Sequence, residues 1–157
     1  MSIIVDLFEK GFDLYKNLTV KAKNNTIIKK QLIREIRDNL KLLEHRNRKG
    51  IDRKALIDKL SNSSIISAIT ENYQFNYLAR KQRITPAVAS QLPKTKKYLN
   101  WDAEHFISSI DEKISSLKNL PDLFPDFAKA PVNLTLRLNN LYFQLILLSY
   151  LIRQSEK

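Results

Sequence analysis

The sequence predicts an all-α fold: a single-domain helical bundle of four to five helices over residues 1–157, with an irregular basic segment at about 72–101. Three observations predict it. Apolar residues recur at spacings of three and four in several separate stretches, as on helices with one buried face. No stretch alternates apolar and polar residues as a half-buried strand does. Glycine occurs only twice, at Gly11 and Gly50, and proline five times, too few turn formers for an all-β chain. A chain of this length buries roughly 70% of the surface its unfolded form exposes, so its core needs no covalent or metal staple.

The first expected helix covers 3–18. Ile4, Leu7, Phe8, Gly11, Phe12, Leu14, Tyr15 and Leu18 fall on one side of it, and Asp6, Glu9, Lys10, Asp13, Lys16 and Asn17 on the other. It either packs on the core or docks on a partner or membrane surface. The mixed charge of its polar face argues against the membrane. The polar link "KAKNNT" follows, with Asn25 or Thr26 suited to cap the next helix. That helix is expected from about Thr26 to about Arg48. Its buried stripe is Ile28, Leu32, Ile36, Leu40 and Leu43, and Gly50 stands just past its end, where a left-handed residue is usual.

Asp52 is placed to cap a short helix buried through Leu56, Ile57 and Leu60. "SNSS" interrupts it, and "IISAIT" is apolar without a resolvable period. Residues 72–101 hold two prolines, six Lys/Arg and no acid. They predict one short helix near Pro86 within an irregular surface segment, and such long connections are often functional or mobile. A helix from about Asp102 to Leu120 buries Ala103, Phe106, Ile110, Ile114 and Leu117, with Asp102 and Glu104 at its positive end. "PDLFPDFAKAP" reads as a loop. The last helix, about Val132 to Gln154, carries two apolar stripes: Leu134, Leu138, Leu141, Leu145, Leu148 and Ile152, and opposite them Phe143, Ile146, Leu147 and Tyr150. A helix apolar on two sides is the centre of a domain or one side of an oligomer.

Composition removes several chemistries. There is no cysteine, hence no disulfide, thiolate nucleophile or cysteine metal site. Two distant glycines cannot form a phosphate-cradling loop. Two histidines 60 positions apart, His45 and His105, offer no metal-ligand spacing, and no cofactor is implied. The start of the chain lacks the basic, uninterrupted apolar pattern of a secretory signal. The most apolar window, 141–152, is shorter than the roughly 20 residues a membrane helix requires. The expectation is a cytoplasmic protein without a transmembrane segment.

Charge is the informative feature. The net charge is +11, and residues 21–101 hold 19 Lys/Arg against 6 Asp/Glu, while the rest of the chain holds 8 against 10. Such a field attracts nucleic acid or another anionic macromolecule. On the 26–48 helix, Lys30, Arg34, Arg37, Lys41, His45 and Arg48 share one side opposite the apolar stripe, a basic ridge about 27 Å long. Arg53 extends it. Arg80, Lys81, Arg83, Lys96 and Lys97 form a second basic set, interleaved with Tyr73, Phe75, Tyr77 and Tyr98, whose rings could stack on unpaired bases. Two local pairs, Arg34 with Asp38 and Glu44 with Arg48, would mute part of the ridge.

The expected function is a small non-enzymatic helical module that binds an anionic partner, most of all nucleic acid, through the ridge. One alternative is a helical accessory or immunity-type protein that meets a protein partner, or its own copy, through the first or last helix. Another is a metal-independent phosphodiesterase or ribonuclease with His45 or His105 as acid–base group.

Overall fold

The computed structural model describes residues 27–91 and 93–156. The helix expected at 3–18 and the cap at Asn25 or Thr26 lie outside these residues. Six α-helices are described: α1 (Ile27–Leu43), α2 (Arg53–Lys59), α3 (Ser63–Thr70), α4 (Pro86–Ala89), α5 (Ala103–Leu123) and α6 (Leu134–Ser155). Three 3-10 helices, Phe75–Ala79, Pro93–Tyr98 and Phe127–Lys129, link them. Among the described residues there is no strand, only one isolated bridge between Arg83 and Asp102. None of the described helices is long and apolar enough to cross a membrane.

The last helix is the axis of the bundle. α6 packs against α5, α1 and the Phe75–Ala79 turn. Both of its apolar stripes are used: Leu138, Leu141, Leu145, Leu148 and Ile152 are buried, and so are Ile146 and Leu147 of the other side. Phe143 and Tyr150 are half-buried. The largest core side chain with no exposure is Phe106 of α5, whose ring lies 5.7 Å from Tyr98 and 5.2 Å from Trp101.

Three elements differ from the sequence expectation. α1 ends at Leu43, not near Arg48. Beyond it the N–H groups of His45 and Arg46 bond carbonyls three residues back instead of four. The Arg46 side chain holds this tightened end: its Nη1 donates to the Leu43 carbonyl at 3.0 Å, its Nε donates to Asn139 Oδ1 at 2.7 Å, and its guanidinium lies 4.0 Å over the Tyr142 ring. Gly50 does adopt a left-handed backbone, φ 83°, but in the turn that leads to the Asp52 cap of α2 rather than at a helix end. The stretch "IISAIT" is the helix α3. Finally, α5 continues through Pro121 to Leu123. A proline in the last turn removes only one late hydrogen bond, and Phe124 N–H closes that turn on the Leu120 carbonyl at 2.8 Å.

The "SNSS" link is a polar joint rather than a break. Glu35 of α1, itself buried, accepts from Ser64 N–H at 2.8 Å and Ile65 N–H at 3.3 Å, and from the Ser61 and Ser63 hydroxyls. One turn on, Asn39 donates to the Ser61 carbonyl at 2.8 Å and accepts its N–H at 3.0 Å. Asn62 donates to Asp111 and Ser115 of α5. Helix α3 has no side-chain cap of its own; α1 supplies it across the fold.

Replacing Arg46 by alanine removes the ring contact and both hydrogen bonds at the end of α1. A loss of about 1–3 kcal/mol is expected, read from the urea midpoint, with Arg46→Lys recovering only part because ammonium cannot reproduce the planar fork. An unchanged midpoint in Arg46→Ala would show that the end of α1 is held by other contacts.

Candidate nucleic-acid interface

α1 turns Leu32, Ile33, Glu35, Ile36, Asn39, Leu40 and Leu43 inward, which forces its polar side into solvent. Lys30, Arg34 and Lys41 are exposed there, and Arg37 is half-buried. Lys30, Ile33, Arg34 and Arg37 line one open cleft of about 460 Å³. The muting pairs do not form. Among the described residues no ion pair engages Lys30, Arg34, Lys41 or Arg48. Asp38 leaves Arg34 alone, and the helix has ended before Glu44 could face Arg48.

The ridge is therefore shorter than its sequence spacing suggests. From Lys30 to Lys41 it spans about 17 Å at the helical rise. His45 and Arg48 are not on it: both sit in the turn after Leu43, His45 half-buried and Arg48 exposed. The reason is the tightened end built by Arg46, a cation that the structure spends internally. Burial lowers the Arg46 pKa, while Tyr142 and Glu44 act in the opposite direction. Arg53 opens α2 and lines a different cleft of about 630 Å³ with Lys54, Phe127 and Val132.

The second basic set sits on another scaffold. α1 packs on α2, α3 and α6, whereas the Phe75–Ala79 turn packs on α5 and α6, and Pro93–Tyr98 packs on α4. The segment is closed on itself: Ile84 N–H bonds the Trp101 carbonyl at 3.0 Å and Asn100 N–H bonds the Ile84 carbonyl at 2.9 Å. Ile84, Thr95 and Tyr98 are buried within it. Arg80, Lys81, Arg83, Lys96 and Lys97 remain exposed. Of the four interleaved aromatics, three are taken. Tyr98 is buried with Lys97 Nζ 5.1 Å from its ring, and the half-buried Tyr73 and Phe75 meet edge to face at 5.6 Å. Tyr77 alone of the four is open, 61% exposed.

One titratable cluster was not legible as such in the sequence. The buried Asp102 carboxylate accepts from His105 N–H at 2.9 Å, meets His105 Nδ1 at 2.8 Å, and has Arg83 Nη2 at 4.0 Å. His105 itself is largely exposed, with Trp101 5.9 Å away. Burial by itself would raise the pKa of Asp102. The two His105 hydrogen bonds and the charges of His105 and Arg83 together outweigh it and hold the carboxyl below its ordinary value. A depressed folded pKa gives stability that is present above the unfolded value of about 3.9 and is lost as pH falls through the folded one. Wild type is therefore expected to be more stable than Asp102→Asn at neutral pH, with the gap closing below about pH 4. Urea unfolding of both proteins across that range checks this, and a gap that does not change with pH sinks it.

Among the described residues, no group of three His, Asp or Glu could hold a metal ion. Of the residues expected to bind anions, the structure brings Lys30, Arg34 and Arg37 to one cleft, with Lys41 further along the same helix and Arg80 and Lys81 together in a separate turn. No protein-family model, no curated protein and no solved structure matches this chain.

Proposed function

We propose that this protein is a nucleic-acid-binding module that contacts phosphates through the exposed side of α1. The observation that carries this reading is the cleft lined by Lys30, Arg34 and Arg37, in which Lys30 and Arg34 are exposed and, among the described residues, meet no carboxylate. Cations already neutralised by acids gain little from phosphate; cations left free release bound counterions when phosphate arrives. The net charge of +11 adds a long-range attraction that speeds encounter and falls with salt. Lys41, one helical turn past Arg37, extends the contact along the same side.

The test is affinity for a mixed-sequence oligonucleotide measured against salt. Binding that weakens linearly on logarithmic axes supports phosphate contact. No binding at about 50 mM salt, where phosphate contacts are strong, would overturn the reading.

A further inference from the structure

Five described residues have a left-handed backbone: Gly50, Asn72, Arg80, Lys81 and Asn100. Glycine suits this conformation because it has no Cβ, and asparagine because its short amide bonds locally. Arg80 and Lys81 are the exceptions, at φ 48° and 60°. They are adjacent, both are exposed, and both are cations. Packing does not explain them, since their side chains face solvent. The fold does need the turn: Lys81 N–H bonds the Asn76 carbonyl at 2.8 Å, and Gln82 N–H bonds the Ala79 carbonyl at 2.9 Å. Glycine or asparagine would meet that need with less strain, as at the other three positions. What arginine and lysine add is charge. Arg83, two residues on, faces the Asp102 carboxylate at 4.0 Å and so leaves the charge of the turn to Arg80 and Lys81. Tyr77 stands three residues before Arg80, one 3-10 turn back.

We propose that the 77–83 turn is a contact site for single-stranded nucleic acid, with Arg80 and Lys81 on successive phosphates and Tyr77 stacked on a base. This rests on the nucleic-acid reading of α1 and adds a strand preference that α1 does not supply. Phosphate contacts serve paired and unpaired strands alike. A stacking ring accepts any base but requires it to be out of the duplex. Backbone strain retained at two cationic positions follows, because the charges are placed where they act at the expense of local preference.

The experiment uses the full chain and one labelled oligonucleotide, presented as a single strand and as a duplex, over a range of salt. Arg80→Gly with Lys81→Gly keeps the backbone and removes the charges. It is expected to weaken single-strand binding about tenfold or more and to flatten the salt slope by about 1.4. Its Tm is expected to rise by about 2–4 °C as the strain is relieved. Tyr77→Leu is expected to weaken single-strand binding about tenfold, leaving duplex affinity and salt slope unchanged. If the glycine variant binds as wild type while Lys30→Glu with Arg34→Glu loses binding, the turn is not a site and the α1 reading stands. If the α1 variant binds as wild type and the turn variants do not, the turn stands and the α1 reading falls. If wild type binds neither strand form, both fall. A lower Tm in the glycine variant overturns the premise that charge, not folding, keeps these residues.

Discussion

Replacing Lys30 and Arg34 together by glutamate is expected to lower nucleic-acid affinity on the order of a hundredfold at about 50 mM salt, and to flatten the salt dependence by about two phosphate contacts. Each contact removed gives back the release of roughly one counterion, worth about tenfold in this salt range, and each new carboxylate adds repulsion. The fold should survive the change. Both side chains are exposed and neither is held in an ion pair among the described residues, and exposed substitutions of this kind usually alter stability by less than about 0.5 kcal/mol. Circular dichroism and thermal melting verify that, and fluorescence anisotropy against salt reads the affinity. Wild-type affinity and slope in this variant would remove α1 from the interface. Lys30→Arg with Arg34→Lys should bind nearly as wild type, because phosphate contacts respond mainly to charge.

The largest stability effect is expected at Glu35. Its carboxylate caps α3 from another helix, accepting two backbone N–H groups and two hydroxyls. Glu35→Ala leaves the N–H groups of Ser64 and Ile65 without acceptors in a partly buried joint. Charge-assisted bonds of this kind are about twice as strong as neutral ones, and stranding buried donors adds a desolvation penalty. A loss of about 3 kcal/mol is expected, which lowers Tm by about 6–12 °C for a domain of this size. Glu35→Gln should lie between, since a single amide oxygen replaces one acceptor and the amide nitrogen now faces donors. A Glu35→Ala protein with wild-type Tm would show that α3 is capped in another way.

How much of this was legible in advance depended on the range of the interaction. The apolar stripes of α1, α5 and α6 could be read directly, because a helix repeats its buried side every three or four residues whatever it packs on. The cap at Asp52 was equally plain, since it accepts from an N–H three residues ahead, that of Ala55. "IISAIT" could not be read, because its helix is completed by Glu35, 29 positions from Ser64. The end of α1 was misplaced for the same reason. The Arg46 side chain that tightens that end is held by Asn139 and Tyr142, brought from the far end of the chain.

The candidate interface divides in the same way. The excess of positive charge in residues 21–101 and its concentration on the polar side of α1 follow from composition and helical period alone. Which cations remain free does not, because neutralisation depends on where carboxylates end up in space. Nor could the sequence separate the stacking candidates, since Tyr73, Phe75, Tyr77 and Tyr98 differ only in burial, and burial is a property of the packed chain. Arg80 and Lys81 carry no local signal for a left-handed backbone; that conformation was imposed by the turn closing on Asn76 and Ala79. The sequence by itself thus determined an all-α fold, its main helical faces and a basic middle, all set by neighbours within a few positions. The tertiary structure alone decided which helix forms the axis, which polar groups bind the elements together and which charges face solvent. Those outcomes depend on contacts between residues tens of positions apart, which exist only once the chain has folded.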